Sequence, residues 1–139
     1  ALVSTNLLRF IYMTQLTVKQ MLKQRSGSVV SSSASLADQP IAGINGSVSM
    51  ITKGGLNSVT LSLAIEYAKD GIRFNAVAPG AVHTTLHKDD PRDFLKTSQP
   101  TRKIAKVKDV VDAVLSLARA GDVSEEALHV DGGAPGCRT

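Results

Sequence analysis

Ser49 and Lys53 stand four residues apart in Ser49-Met50-Ile51-Thr52-Lys53, a spacing that puts a hydroxyl and an ammonium on one face of a helix. Asn6 lies at the start of an earlier helical pattern, Ser31, Ser32, Ser33 and Ser35 end a β-branched run, and Pro79-Gly80-Ala81-Val82-His83-Thr84 ends the next one. In an α/β sheet such strand ends share one edge, where ligands bind. Each group also has a plain structural reading. Asn6 would serve as a helix N-cap, the serines as turn formers and Pro79-Gly80 as a strand-ending turn. A solvated role suits Lys53 less well, because its neighbours Met50, Ile51, Gly54, Gly55 and Leu56 are apolar or small. His83 and His87, with Asp89 and Asp90 nearby, have a spacing that could hold a metal on a helix. Pro91 and weak periodicity argue against a helix there, so no metal site is expected, and His83 is kept as a candidate proton donor on a substrate loop.

The elements that must position these residues follow from periodicity. Leu7, Leu8, Ile11, Leu16, Val18 and Leu22 predict a helix over 7–23, stopped at Arg25-Ser26-Gly27. Met50, Ile51, Leu56, Val59, Leu63, Ile65 and Tyr67 predict a second over 48–69, ended by Asp70-Gly71. Val107, Val110, Val111, Val114, Leu115 and Ala118 predict a third over 107–120, with Asp109 and Asp112 where the macrodipole favours anions. Strands are predicted at Ser28–Ser33, Ile72–Ala78 and Ala127–Val130. Residues 81–101 hold two of the five prolines and little periodicity and read as one long irregular region. Helices alternating with strands give a parallel sheet, the three strands adjacent, the two long helices on one face and 107–120 on the other.

Composition agrees with this architecture. A length of 139 residues fits one domain, and 42% hydrophobic residues with only 4% aromatics call for a core of Ala, Val, Leu and Ile, as buried parallel strands have. The lone cysteine, Cys137, excludes an internal disulfide and suits a reducing, cytoplasmic compartment. A net charge of +4 is compatible with a polyanionic partner. The densest basic stretch, Arg102, Lys103, Lys106 and Lys108, has no interleaved aromatic for base stacking and reads as a solvated helix entrance, so no nucleic acid is expected. No apolar run approaches the roughly 20 residues of a membrane span. The chain opens on Ala1-Leu2-Val3 without an initiator Met or a signal pattern, as an interior start would.

Five runs carry a resemblance: 27–33 (Gly-Ser-Val-Val-Ser-Ser-Ser), 52–56 (Thr-Lys-Gly-Gly-Leu), 62–68 (Ser-Leu-Ala-Ile-Glu-Tyr-Ala), 71–80 (Gly-Ile-Arg-Phe-Asn-Ala-Val-Ala-Pro-Gly) and 129–133 (His-Val-Asp-Gly-Gly). Over nearly the whole chain the sequence resembles the C-terminal half of a classical short-chain dehydrogenase/reductase. The resemblance implies a Rossmann-type, doubly wound parallel sheet of which residues 1–139 are the C-terminal portion, about three strands and three helices in a single domain. It further implies hydride transfer between NAD or NADP and a small carbonyl or alcohol. A glycine-rich pyrophosphate turn, absent from this sequence, would lie upstream. Asn6 would hold a water in a proton relay to Lys53, and Lys53 would bind the nicotinamide ribose. Pro79, Gly80, Val82 and Thr84 would fix the nicotinamide, Val82 through its backbone and Thr84 through its hydroxyl.

Two positions depart from the family pattern. The family has Tyr four residues before its lysine, and this chain has Ser49. A phenol, with a pKa of about 10, can be drawn toward neutrality by an ammonium, whereas a serine hydroxyl is far less acidic and shorter, which makes Ser49 a poor general acid. The serine that polarises the carbonyl falls, in register, at Ala34, leaving Ser33 and Ser35 on either side as candidates. The resemblance also implies a homo-oligomer, dimer or tetramer, through the helices at 7–23 and 49–69. A catalytically impaired pseudoenzyme or half-domain acting through that interface is the alternative function.

Overall fold

The β-branched runs form three strands, β1 (Gly27–Ser32), β2 (Ile72–Pro79) and β3 (Ala127–Val130), in a parallel sheet of order β1-β2-β3. The computed structural model describes residues 1–41, 43–87 and 91–134. Cys137 and the Asp89 and Asp90 of the metal reading lie outside them; among the described residues no cluster of His, Cys, Asp and Glu could hold a metal. Helix α1 (Arg9–Gln24) continues from a π-helical turn at Ser4–Leu8, and α2 (Ser47–Glu66) leads from β1 back to β2. A short helix α3 (Arg92–Thr97) and then α4 (Val107–Arg119) fill the crossover from β2 to β3.

Alternation along β2 divides the molecule. Ile72 and Phe74 point to one side and form the core cluster with Val18 of α1 and Ala64 of α2; complete burial of Phe74 is worth roughly 1.5–3 kcal/mol. On the other side the Arg73 guanidinium donates to the carbonyls of Leu117 (3.0 Å) and Ala118 (2.8 Å) at the end of α4 and to Val123 (2.8 Å), which satisfies orphan carbonyls of the helix terminus. Asn75, fully buried beside it, donates to Val123 O at 2.8 Å and accepts the Glu126 amide at 3.0 Å, fixing the loop that feeds β3. The two long helices therefore pack on one face and α4 on the other, as expected.

Helix α2 lies close to the sheet because its buried stripe, Thr52, Leu56, Thr60 and Ala64, is mostly small. The Thr60 and Ser31 hydroxyls hydrogen-bond across that contact at 3.2 Å. Gly55 meets Leu7 at 3.1 Å from where a Cβ would stand, so this glycine sets helix packing. Gly71 ends the connection to β2 at φ +73°, and a Cβ there would lie 2.8 Å from the Arg25 carbonyl oxygen, a combination only glycine tolerates.

Three expectations need correction. The region 81–101 is not irregular throughout: it holds a 3-10 turn at Thr85–His87 and α3, with Pro91 as its N-cap residue. A six-residue helix is too short to display periodicity. The apolar stripe of α4 does not all face inward, since Val107, Val111 and Leu115 are exposed while Leu117 is the buried contact. Asn6 is not a helix N-cap but sits inside the π-helical turn.

Candidate active site

The strand ends and the helix starts converge on one cleft of about 660 Å³. Asn6, Ser33, Ser35, Ser49, Lys53, Pro79, Gly80, Val82 and Thr84, nine of the residues singled out from the sequence, all line it at this edge of the sheet. His83 does not. Its ring Nε2 accepts a hydrogen bond from Arg92 at 3.2 Å on the exposed side, and the cleft is lined instead by His87; the proton-donor expectation for His83 is set aside.

Lys53 reaches the cleft from the second turn of α2. Its Nζ donates to the Ser32 carbonyl at the end of β1 over 2.7 Å, and the Ser33 hydroxyl donates to the Lys53 main-chain carbonyl over 3.2 Å. Burial lowers the Lys53 pKa from the ordinary lysine value, because partial desolvation penalises the charged form. Among the described residues no Asp or Glu lines the cleft. Thr52, fully buried one residue earlier, receives the Asn6 amide at 3.1 Å while its own hydroxyl faces the carbonyls of Val48 (3.1 Å) and Ser49 (3.3 Å). Asn6 is thereby tied to the turn that carries both Ser49 and Lys53.

The two candidate serines are not equivalent. Ser33, immediately beyond β1, commits its hydrogen to Lys53. Ser35 opens a 3-10 turn (Ser35–Ala37), is 5% exposed and has no hydrogen-bond partner for its hydroxyl among the described residues. The same is true of the Ser49 hydroxyl.

Val82 sits on a parallel bridge to Ala105, in which the His83 amide donates to Ala105 O (2.8 Å) and the Ala105 amide donates to Ala81 O (3.1 Å). In that pattern the N–H and C=O of Val82 itself are directed away from Ala105, and neither makes a backbone hydrogen bond among the described residues. A donor and an acceptor on one residue match a primary carboxamide. Gly80 keeps this segment close to the end of β3: its amide donates to Val130 O at 3.0 Å, and a Cβ would lie 2.8 Å from Asp131 Cβ and 2.9 Å from Gln99 Nε2. Asp131 in turn accepts the amides of Gly133 (3.0 Å) and Ala134 (3.3 Å). Across the neighbouring edge, Asp38 accepts from Asn57 Nδ2 and from His129 Nε2, each at 3.0 Å, linking the loop after β1 to α2 and β3.

Comparison with known proteins fits this geometry. Residues 1–135 match the family model described as Enoyl-(Acyl carrier protein) reductase, and a solved short chain dehydrogenase/reductase family protein superposes with TM-score 0.84 at 32% identity, over 92% of this chain and 54% of that one. The chain belongs to the short-chain dehydrogenase/reductase family. Among curated relatives of this family, the 3-oxoacyl-[acyl-carrier-protein] reductase of Bos taurus is 36% identical over 133 residues, 93% of this chain and 54% of the relative. The solved structure of ElxO with NADP bound matches at TM-score 0.87 and 25% identity, over 93% of this chain and 54% of that one. The chain spans about half the length of the curated relatives it matches. These curated relatives are named as reductases, and the fold is that of the Rossmann-type solved neighbours. No described helix is long and apolar enough to cross a membrane.

Proposed function

We propose that this chain supplies the substrate side of an NAD(P)-dependent oxidoreductase that moves a hydride between a nicotinamide and a small carbonyl or alcohol. The observation that carries the reading is the gathering of Lys53, Ser35, Ser49 and the unpaired Val82 amide around one cleft. Residues 1–139 are then the C-terminal portion of a single Rossmann-type domain, and the pyrophosphate turn comes from outside them. NADP is named for one solved neighbour and NADPH for another, and the donor-acceptor pair of Val82 suits a nicotinamide carboxamide, with Thr84 beside it.

A bound nicotinamide would supply or take the hydride. The remaining work falls to this chain. Lys53, held by Ser32 O, lies where a ribose hydroxyl could accept from it. Ser35, whose hydrogen is uncommitted, polarises the substrate carbonyl in preference to Ser33. The proton is the weak point: Ser49 replaces the family tyrosine, and a serine hydroxyl beside an amine cannot approach the acidity of a phenol. A water held by the Asn6 side chain and relayed through Lys53 is the route left open. The compartment proposed is the cytoplasm, where a lone thiol stays reduced.

A second reading has its own support. Leu16 of α1 and Ile51 and Ile65 of α2 are 64–68% exposed, with Tyr12 and Met13 beside them. Exposed apolar side chains on two neighbouring helices suit a homo-oligomer, which a catalytically impaired chain would still form. Titration with NADPH and NADH, followed by nicotinamide fluorescence and then by turnover of a small ketone, separates the two. The reductase reading expects cofactor binding that Lys53→Ala abolishes, and a turnover rise of about 10²–10⁴-fold in Ser49→Tyr, the usual contribution of a general acid. Absence of both, with an intact oligomer, leaves the pseudoenzyme.

A further inference from the structure

Lys53 is the only lysine or arginine among the described residues lining the cleft, and no carboxylate lines it with them. The other lysines among the described residues are exposed, whereas Lys53 is half-buried, hydrogen-bonds to Ser32 O and lines the cleft. Ser49, one turn before it and small, lines the same cleft of about 660 Å³. The Ser35 and Ser49 hydroxyls on the same wall have no partners among the described residues, and Leu36, Ile41, Ile44, Leu95 and Val110 make much of the remaining lining apolar.

We propose that this cleft captures apolar aldehydes or ketones covalently, as an imine on Lys53. The neutral amine attacks the carbonyl carbon; the C–N bond forms as the π pair moves to oxygen, which takes a proton, with the nitrogen losing one. The resulting carbinolamine expels its hydroxyl as water, the nitrogen lone pair closing the C=N bond, so that amine and carbonyl become imine and one water with no change of oxidation state. The Ser35 and Ser49 hydroxyls can hydrogen-bond the carbinolamine oxygen. Partial burial lowers the basicity of Lys53 relative to a solvated lysine, which favours attack by its amine, as in other lysines activated by desolvation. Neither a nucleotide nor a tyrosine is required, so the inference stands apart from the reductase reading.

Hexanal with sodium cyanoborohydride, which reduces an imine to a stable secondary amine, tests it on the chain as it stands. Peptide mapping by mass spectrometry after brief labelling should find Lys53 modified at least about tenfold faster than any of the other eight lysines, with labelling at that peptide lost in Lys53→Arg. Mapping of the wild type alone decides the matter if that variant fails to fold. Modification spread over the solvated lysines with Lys53 no faster than they are would overturn the proposal. A parallel arm adds NADPH: protection of Lys53 means that both readings hold at one site, whereas fast labelling without protection keeps imine capture and removes the cofactor role assigned to Lys53.

Discussion

The Ser33 hydroxyl donates to the main-chain carbonyl of Lys53 at 3.2 Å, on the residue whose own ammonium grips the carbonyl before Ser33. These two reciprocal bonds stitch the end of β1 to α2 and separate the roles of neighbouring serines. Ser33→Ala should lower stability by about 1 kcal/mol, the usual net loss of a buried hydrogen bond, whereas Ser35→Ala should change it by less than about 0.5 kcal/mol and act on turnover instead. Urea unfolding midpoints of the two variants check this; equal losses would mean that Ser35 is also structural.

Lys53 gives stability a pH dependence of known sign. Its folded-state basicity is lowered by burial, so between that value and the ordinary lysine value of about 10.4 the unfolded chain binds more protons than the folded one. Stability should rise with pH across that window, relative to Lys53→Met, and the difference should level off below it. Chemical denaturation of both proteins from pH 7 to pH 10.5 measures the slope; parallel curves would contradict it.

Gly80→Ala should cost about 1–3 kcal/mol, the range for an overpacked site. The new methyl would press on Asp131 Cβ and on the Asp131 backbone carbon at 3.0 Å, which cannot swing aside. Because Gly80 precedes Val82 in the cleft wall, the variant should also weaken nicotinamide binding. Thermal unfolding and cofactor fluorescence report the two effects separately.

Charge placed on the exposed helix faces should break the proposed oligomer without harming the fold. Leu16 and Ile65 are each 64% exposed, so Leu16→Lys with Ile65→Lys removes little intramolecular packing. Light scattering should find a multiple of the 14.6 kDa chain mass for the wild type and the single mass for the double variant. A wild type that stays monomeric at tens of micromolar would rule the interface out.

What the sequence made legible was whatever a local pattern encodes. The run Ala127–Val130 is β3 to the residue, and β2 exceeds its expected range only by Pro79. The cleft residues were found because strand ends in a parallel sheet share an edge, which is topology rather than contact. What escaped depends on tertiary contacts. The bond from Asn6, inside a π-helical turn, to Thr52 joins positions 46 residues apart, and the helical spacing that begins at Leu7 does not announce it. The exposure of Val111 and Leu115 against the burial of Leu117 reflects which way α4 lands on the sheet, a choice that periodicity leaves open. Of the stripe Thr52, Leu56, Thr60, Ala64 a search for large apolar residues finds only Leu56; the others are small enough for close approach, and Thr60 hydrogen-bonds to Ser31 across the contact.

The link from Asp38 to His129 spans 91 residues of sequence. It joins the loop after β1 to the last strand, and the expectation is that it forms late in assembly, after the transition state. Its loss in His129→Ala should leave the folding rate unchanged and, for a bond worth about 1 kcal/mol, speed unfolding about fivefold. The clasp between the loop after β1 and the last strand thus governs how long the molecule stays folded, not how quickly it gets there.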